Sequence, residues 1–391
     1  LTVKLAPVGL SGGRQAMLAR FSVLALALGS PALAVPPPPP PAIDVVPGAT
    51  PRDPHVLTWQ ASGVTCGKGV RIAPARFVAP DPQPLVTRLA NAPDEVTIRF
   101  AIDADGRAFG MTAVVEPRSR MLLRDFMPSL RASRFAVAAP QTDCTIRYTA
   151  QTQSIAEAPL ETLAALGVAQ RLRLGKPVWE RMSPGDCRDK PRLAPLTRSY
   201  PDFRKLTRRE GDRHWTYVTY DIDSDGVPVN LATPFTTGDA ALDAEARAAV
   251  AAGRYAGGPR TGCLQAWWSG AETIPAPPIP PKEDTKGNPA CEIKDQWDRE
   301  PRLVFPPSYQ RRAIEGWAIL RYDVAPWGEI GAIEVLDAQP SSEFGEAAVN
   351  VIRNARFKPL ETGLKGCIDR VIFRLRSKES GEDEPGTADP A

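Results

Sequence analysis

The chain reads as an α+β protein that uses one small module three times, each copy a two-layer sandwich of a small antiparallel sheet with a helix on one face. Three observations predict this. Six cysteines fall into three pairs of nearly equal spacing, Cys66 with Cys144, Cys187 with Cys263 and Cys291 with Cys367, at separations of 78, 76 and 76 positions. Inside each pair a glycine (Gly106, Gly226, Gly328) stands 29 positions before an aromatic residue (Phe135, Tyr255, Phe357), and an arginine (Arg134, Arg254, Arg356) precedes each aromatic. Each segment also passes through the same periodicities in the same order: strand, tight turn, strand, amphipathic helix, strand.

The N-terminus predicts export. Arg20 is followed by the apolar run Phe21-Ser-Val-Leu-Ala-Leu-Ala-Leu-Gly29 and then by Ser30-Pro-Ala-Leu-Ala34. A charged region, a short apolar region and an A-x-A site form a secretory signal, so residues 1–34 are expected to be a signal peptide cleaved after Ala34. Met17 is the expected start, with residues 1–16 an upstream extension. The run falls short of the roughly 20 apolar residues of a membrane span. An uncleaved single anchor in the inner membrane is the alternative. An exported chain favours disulfides, and three local bridges use all six cysteines. Closing a loop of about 77 residues is worth roughly 4.5 kcal/mol in the chain-entropy model, a large addition for a small module. Zinc is not expected, because there is no C-x2-C pair and His55 and His214 lie away from the cysteines.

A tether follows at 35–57, opening with Pro36 to Pro41, an extended rod of roughly 19 Å. The first module is placed at 58–150. Val96-Thr-Ile-Arg-Phe-Ala-Ile-Asp103 is its first strand, Asp105-Gly106 its hairpin turn, Leu122–Ala132 its helix, limited or bent by Pro128, and Cys144 opens its last strand. A connector at 151–186 includes a helix over Leu160–Leu174. The second module, 187–270, repeats the order with Trp215–Ile222, the turn Asp225-Gly226, a helix over Ala240–Ala252 and a strand from Cys263. Residues 271–290 form a linker opened by Ile274-Pro-Ala-Pro-Pro-Ile-Pro-Pro281.

The third module, 291–376, is the clearest. Trp317–Val324 and Glu329–Leu336 flank Ala325-Pro-Trp-Gly328 as a hairpin. Ser341 or Ser342 caps a helix whose Phe344, Ala347, Ala348, Val351 and Ile352 make one apolar face. In the last strand Val371, Phe373 and Leu375 point inward, and Arg370, Ile372, Arg374 and Arg376 point outward. The signals are complete enough to predict that 284–378 folds alone. Residues 377–391 are acidic, without apolar anchors, and are expected to be disordered.

Function classes are narrowed by what is missing. A net charge of +3 gives no strong pull on nucleic acid. Asp221-x-Asp223-x-Asp225-Gly226 opens like a calcium loop, but Ala232 stands where the bidentate glutamate belongs, so no metal is expected. No nucleophile elbow, H-E-x-x-H or phosphate loop occurs, and paired cysteines leave no thiol; neither enzyme activity nor a cofactor is expected. Arg134, Arg254 and Arg356 are read as cations closing helix ends.

Unit three resembles the C-terminal domain of the TonB family. The likeness rests on Phe305-Pro306, Glu315-Gly316, Tyr322-Asp-Val324, Gly328, Val335-Leu336, Phe344, Ala347-Ala348 and Ala355-Arg-Phe-Lys-Pro359, and covers roughly 301–376. The first two units are similar more weakly, through register with the third. The resemblance implies a periplasmic domain that takes a short peptide of an outer-membrane receptor and transmits inner-membrane energy to transport. The chain departs from the family pattern in its three modules, its cleavable signal and its short proline run. These departures favour a non-enzymatic periplasmic protein that binds partner peptides by strand addition, linked to outer-membrane transport. An anchored energy transducer with an inner-membrane motor partner, and a structural scaffold of the envelope, are the alternatives. The expected docking edge is the last strand of unit three, where Arg370, Ile372, Arg374 and Arg376 meet an acidic peptide and discourage self-association.

Overall fold

The computed structural model describes residues 55–85, 95–114, 124–170, 175–292 and 296–375. The expected signal sequence, nearly all of the tether, Arg376 and the acidic tail lie outside them. Among the described residues no helix is long and apolar enough to cross a membrane.

One order of elements occurs three times. In the first set β1 (His55–Ala61) and β2 (Val64–Cys66) precede the hairpin β3 (Glu95–Ile102) and β4 (Ala108–Val114), then α1 (Phe126–Ala132), the short β5 (Arg134–Phe135) and the long β6 (Gln141–Ser154). Helices α2 (Leu160–Gln170) and α3 (Lys176–Met182) lead to the second set: β7 (His214–Ile222), β8 (Pro228–Thr236), α4 (Ala240–Ala251), β9 (Arg254–Ala256) and β10 (Arg260–Ser269). The third set follows α5 (Pro307–Arg311) as β11 (Gly316–Val324), β12 (Ile330–Gln339), α6 (Ser342–Arg353), β13 (Arg356–Phe357) and β14 (Leu364–Phe373). In every set the first hairpin strand is central, with its hairpin partner on one side and the last strand on the other, all antiparallel. The fold is α+β with small antiparallel sheets, as the periodicity predicts.

The constant glycine-to-aromatic interval has a physical cause. Gly106, Gly226 and Gly328 have φ of 75°, 76° and 87°. A Cβ on them would stand 2.2, 2.0 and 2.0 Å from the carbonyl oxygens of Phe135, Tyr255 and Phe357. Each glycine carbonyl in turn accepts the N–H of that aromatic, at 2.8, 3.0 and 2.9 Å. The hairpin turn is thus stitched to the chain just past the helix, and only glycine permits the approach. Disulfides join Cys66–Cys144, Cys187–Cys263 and Cys291–Cys367.

Packing links the sets. The second sheet carries α4 on one face through Leu242, Ala246, Ala249 and Val250. Its other face is covered by Leu163, Leu166, Val168, Val178 and Met182 of α2 and α3. The first and third sets share one continuous core that includes Phe126 and Tyr148 with Phe344, Phe357 and Phe373. At their junction Met111 donates its N–H to Pro340 O at 3.0 Å, and Gly110 donates to Gln339 Oε1 at 2.9 Å. Arg312, 6% exposed, reaches all three sets: it donates to both carboxylate oxygens of Asp125 at 2.7 and 2.5 Å, to Asp81 at 3.3 Å and to the Gly211 carbonyl at 3.4 Å.

Local expectations shift in three places. Helix α1 begins at Phe126, later than Leu122, with Pro128 in its first turn, where the missing N–H is no loss. Ser341 holds the N-cap position of α6 but makes no side-chain cap, because its hydroxyl pairs with Tyr309 OH at 2.5 Å. The arginines before the aromatics divide. Arg254 bonds Ala251 O at the end of α4, whereas Arg134 and Arg356 donate to the turn carbonyls of Asp105 and Trp327.

Candidate peptide-docking edge

Strand β14 pairs with β11 in continuous register from Cys367↔Tyr322 to Phe373↔Gly316. Cys367, Val371 and Phe373 are buried toward α6, Arg370 and Ile372 are half-buried on the opposite face, and Arg374 is exposed. That alternation follows the sequence. No strand among the described residues ladders onto the other side of β14, which leaves it the edge of its sheet.

A strap from the preceding linker crosses this edge. It starts on the outer face, where Trp317 Nε1 donates to Pro277 O at 2.8 Å and the Arg370 guanidinium donates to Pro281 O at 2.6 Å and Thr285 Oγ1 at 2.5 Å. It crosses at Gly287 and Asn288. A Cβ on Gly287 would lie 2.8 Å from the Ile368 nitrogen, and Asn288 donates its N–H to Gly366 O at 3.0 Å. It ends at Cys291, bonded to Cys367 on the helix side. The backbone of Ile368 therefore faces the strap. Strand alternation turns the backbone groups of Arg370 and Ile372 the same way, beyond the crossing.

Between strap and strand lies a groove of about 1220 Å³, lined by residues that include Trp297, Tyr322, Lys358, Ile368, Asp369 and Arg370. Asp369 is half-buried there and accepts the Tyr322 hydroxyl at 2.6 Å. Burial pushes its carboxyl above the ordinary aspartate range, with the Tyr322 hydrogen bond opposing.

The structure thus brings Arg370 and Ile372 to one face of β14, with Arg374 just past its end, and occupies Arg370 with strap oxygens. Sequence reading missed Asp369, Tyr322 and the crossing at Gly287. Asp369 interrupts an otherwise apolar and basic strand, which is the one signal that marks it. The acidic run of the second set works as a turn: Asp223 Oδ1 accepts the N–H groups of Asp225 and Val227 at 2.9 and 2.8 Å. Asp221 accepts from Gly262 N and Asn230 Nδ2. Among the described residues no group of three or more potential metal ligands occurs.

A three-stranded sheet backed by one helix, with its last strand open on one side, defines a class of small α+β domain. Residues 301–373 match the family of the Gram-negative bacterial TonB protein C-terminal, so this stretch of the chain is similar to that domain. The chain is similar to protein TonB of Escherichia coli (strain K12), 28% identical over 71 residues. That stretch is 18% of this chain and 29% of the relative, so the chain spans under a third of the relative's length. A solution structure of the Pseudomonas aeruginosa TonB CTD is similar at 23% identity over 21% of this chain and 88% of that one, with a TM-score of 0.20.

Proposed function

We propose that the protein is a non-enzymatic component of the Gram-negative cell envelope that binds a short extended peptide of an outer-membrane receptor along β14, in support of receptor-dependent transport. The peptide lies beside Arg370, Ile372 and Arg374 and takes up the outward backbone groups of this stretch, with its side chains alternating between the two faces. One observation carries this reading. The equivalent strand of the first set, β6, has the same edge paired with β1 from Tyr148 to Ser154 and with β2 at Thr145, whereas β14 has no strand there among the described residues. The fold accepts a strand at this position, and the third set leaves it available. The three modules are read as copies of one domain; among the described residues β10 of the second set is an edge as well, and β14 is chosen over it for its outward arginines and for the family match of residues 301–373.

The test is binding of labelled peptides from the periplasm-facing segments of outer-membrane receptors, by fluorescence anisotropy. Ile372→Pro removes a backbone donor and is expected to abolish binding, whereas Arg374→Ala removes only a side chain and weakens it several-fold. Circular dichroism must show the proline variant folded. A peptide N-methylated at alternate residues tests the ladder without altering the protein, and is expected not to bind. Equal binding by folded Ile372→Pro, or by the methylated peptide, would rule the edge out.

A further inference from the structure

We infer that Asp369 selects a peptide carrying a lysine or arginine at a helix-side position, an inference that rests on peptide docking at β14 and adds the class of sequence it takes. The groove beneath the strap continues the open edge: it is lined by Ile368, Asp369 and Arg370, the residues at which the strap crosses and the free backbone begins. A peptide paired along Arg370 to Arg374 therefore runs on into the groove. Its residues on the helix side face Asp369, Tyr322 and Trp297, and those on the opposite face meet Arg370 and Arg374.

The charges of the groove sort by exposure. Lys282, Glu283, Lys286, Glu292, Glu300 and Lys358 are exposed on its rim, where water and salt screen them. The charged side chains set deeper are Asp369 and Arg370, and Arg370 is bonded to Pro281 O and Thr285 Oγ1 of the strap. That leaves Asp369 to define the floor. Among the described residues its carboxylate accepts one hydrogen bond, from the Tyr322 hydroxyl, so acceptor capacity remains for a second donor. Burial raises its pKa, and the Tyr322 hydrogen bond opposes. An ammonium or guanidinium group entering the groove pairs with this carboxylate beside the aromatic ring of Trp297. Strand alternation then fixes the ligand pattern, with acidic residues toward the arginine face and one basic residue toward Asp369.

The experiment uses the full chain and fluorescein-labelled ten-residue peptides of alternating valine and glutamate. One valine is replaced by lysine at each position in turn, with norleucine at the same position as the control. One lysine position is expected to bind at least tenfold more tightly than its norleucine control. That preference is expected to vanish in Asp369→Asn, whose amide oxygen still accepts the Tyr322 hydroxyl and preserves the fold. Equal binding of lysine and norleucine peptides at every position overturns the inference and leaves strand docking standing, as does a preference that survives in Asp369→Asn. No binding by any peptide overturns the docking reading and this inference with it.

Discussion

Strands β6 and β14 hold the same place in the first and third sets, yet one is interior and the other is an edge. Tyr148 to Ser154 of β6 pair with β1 in unbroken register, Ala61↔Tyr148 through His55↔Ser154. Counted from the second cysteine of each pair, the corresponding stretch in the third set begins at Val371 and contains Ile372, Arg374 and Arg376. The difference lies in what precedes the first cysteine. His55-Val-Leu-Thr-Trp-Gln-Ala61 keeps every N–H and buries Val56, Leu57 and Trp59, so it ladders. Before Cys291 stands Pro275-Ala-Pro-Pro-Ile-Pro-Pro281, where five of seven residues have no N–H, and this segment packs across the face and the edge as a strap. Proline placement thus separates a closed module from an open one.

The comparison breaks if the first and third sets do not behave as one body. Arg312→Ala leaves Asp125 buried without its cation and is expected to cost about 3–5 kcal/mol, read by urea unfolding. Amide exchange should show β6 and β14 losing protection together. Loss confined to β14 would separate the sets. By the same physics residues 284–378, predicted from sequence to fold alone, are missing Asp125 and the Phe126–Tyr148 side of the shared core, and the excised fragment should melt broadly.

The shared turn sharpens the comparison. Gly106→Ala and Gly328→Ala each force a positive-φ Cβ onto a carbonyl oxygen, with an expected loss of about 1–3 kcal/mol. Thermal unfolding should place the two losses within about 1 kcal/mol of each other if the stitch is equivalent in both sets.

The smallest effect belongs to the second set. His214 is buried, with Nδ1 3.1 Å from the carboxylate of Asp239, which caps α4. Burial holds its pKa below the ordinary 6.5, helped by Arg209 and opposed by Asp239. The unfolded chain takes up a proton near pH 6.5 that the folded chain refuses, so stability present above that pH is lost as pH falls toward the lower folded value. The loss is at most about 1.4 kcal/mol per pH unit. It should be absent in His214→Phe when denaturation midpoints at pH 7.5 and 5.5 are compared.

Much of this was legible in the residues. The cysteine spacing, the glycine intervals and the 3.6-residue period of Phe344, Ala348, Val351 and Ile352 specify hairpin, helix and last strand, because local geometry and short-range pairing generate those signals. The outward alternation of Arg370, Ile372 and Arg374 was legible for the same reason. The strap was not: a proline-rich stretch reads as a spacer, and nothing local says that Trp317, forty residues on from Pro277, will donate to its carbonyl.

By itself the sequence determined the α+β class, the hairpin, helix and last strand of the third set, and the cysteine pairs, since each depends on period, turn chemistry or cysteine spacing. Only the tertiary structure decided which last strands stay open, that the first and third sets share a core and are joined by Arg312 and Asp125, and that Asp369 floors a groove at the edge of β14. Each of those depends on residues far apart in the chain meeting in low-dielectric surroundings, and sequence periodicity carries no record of such meetings.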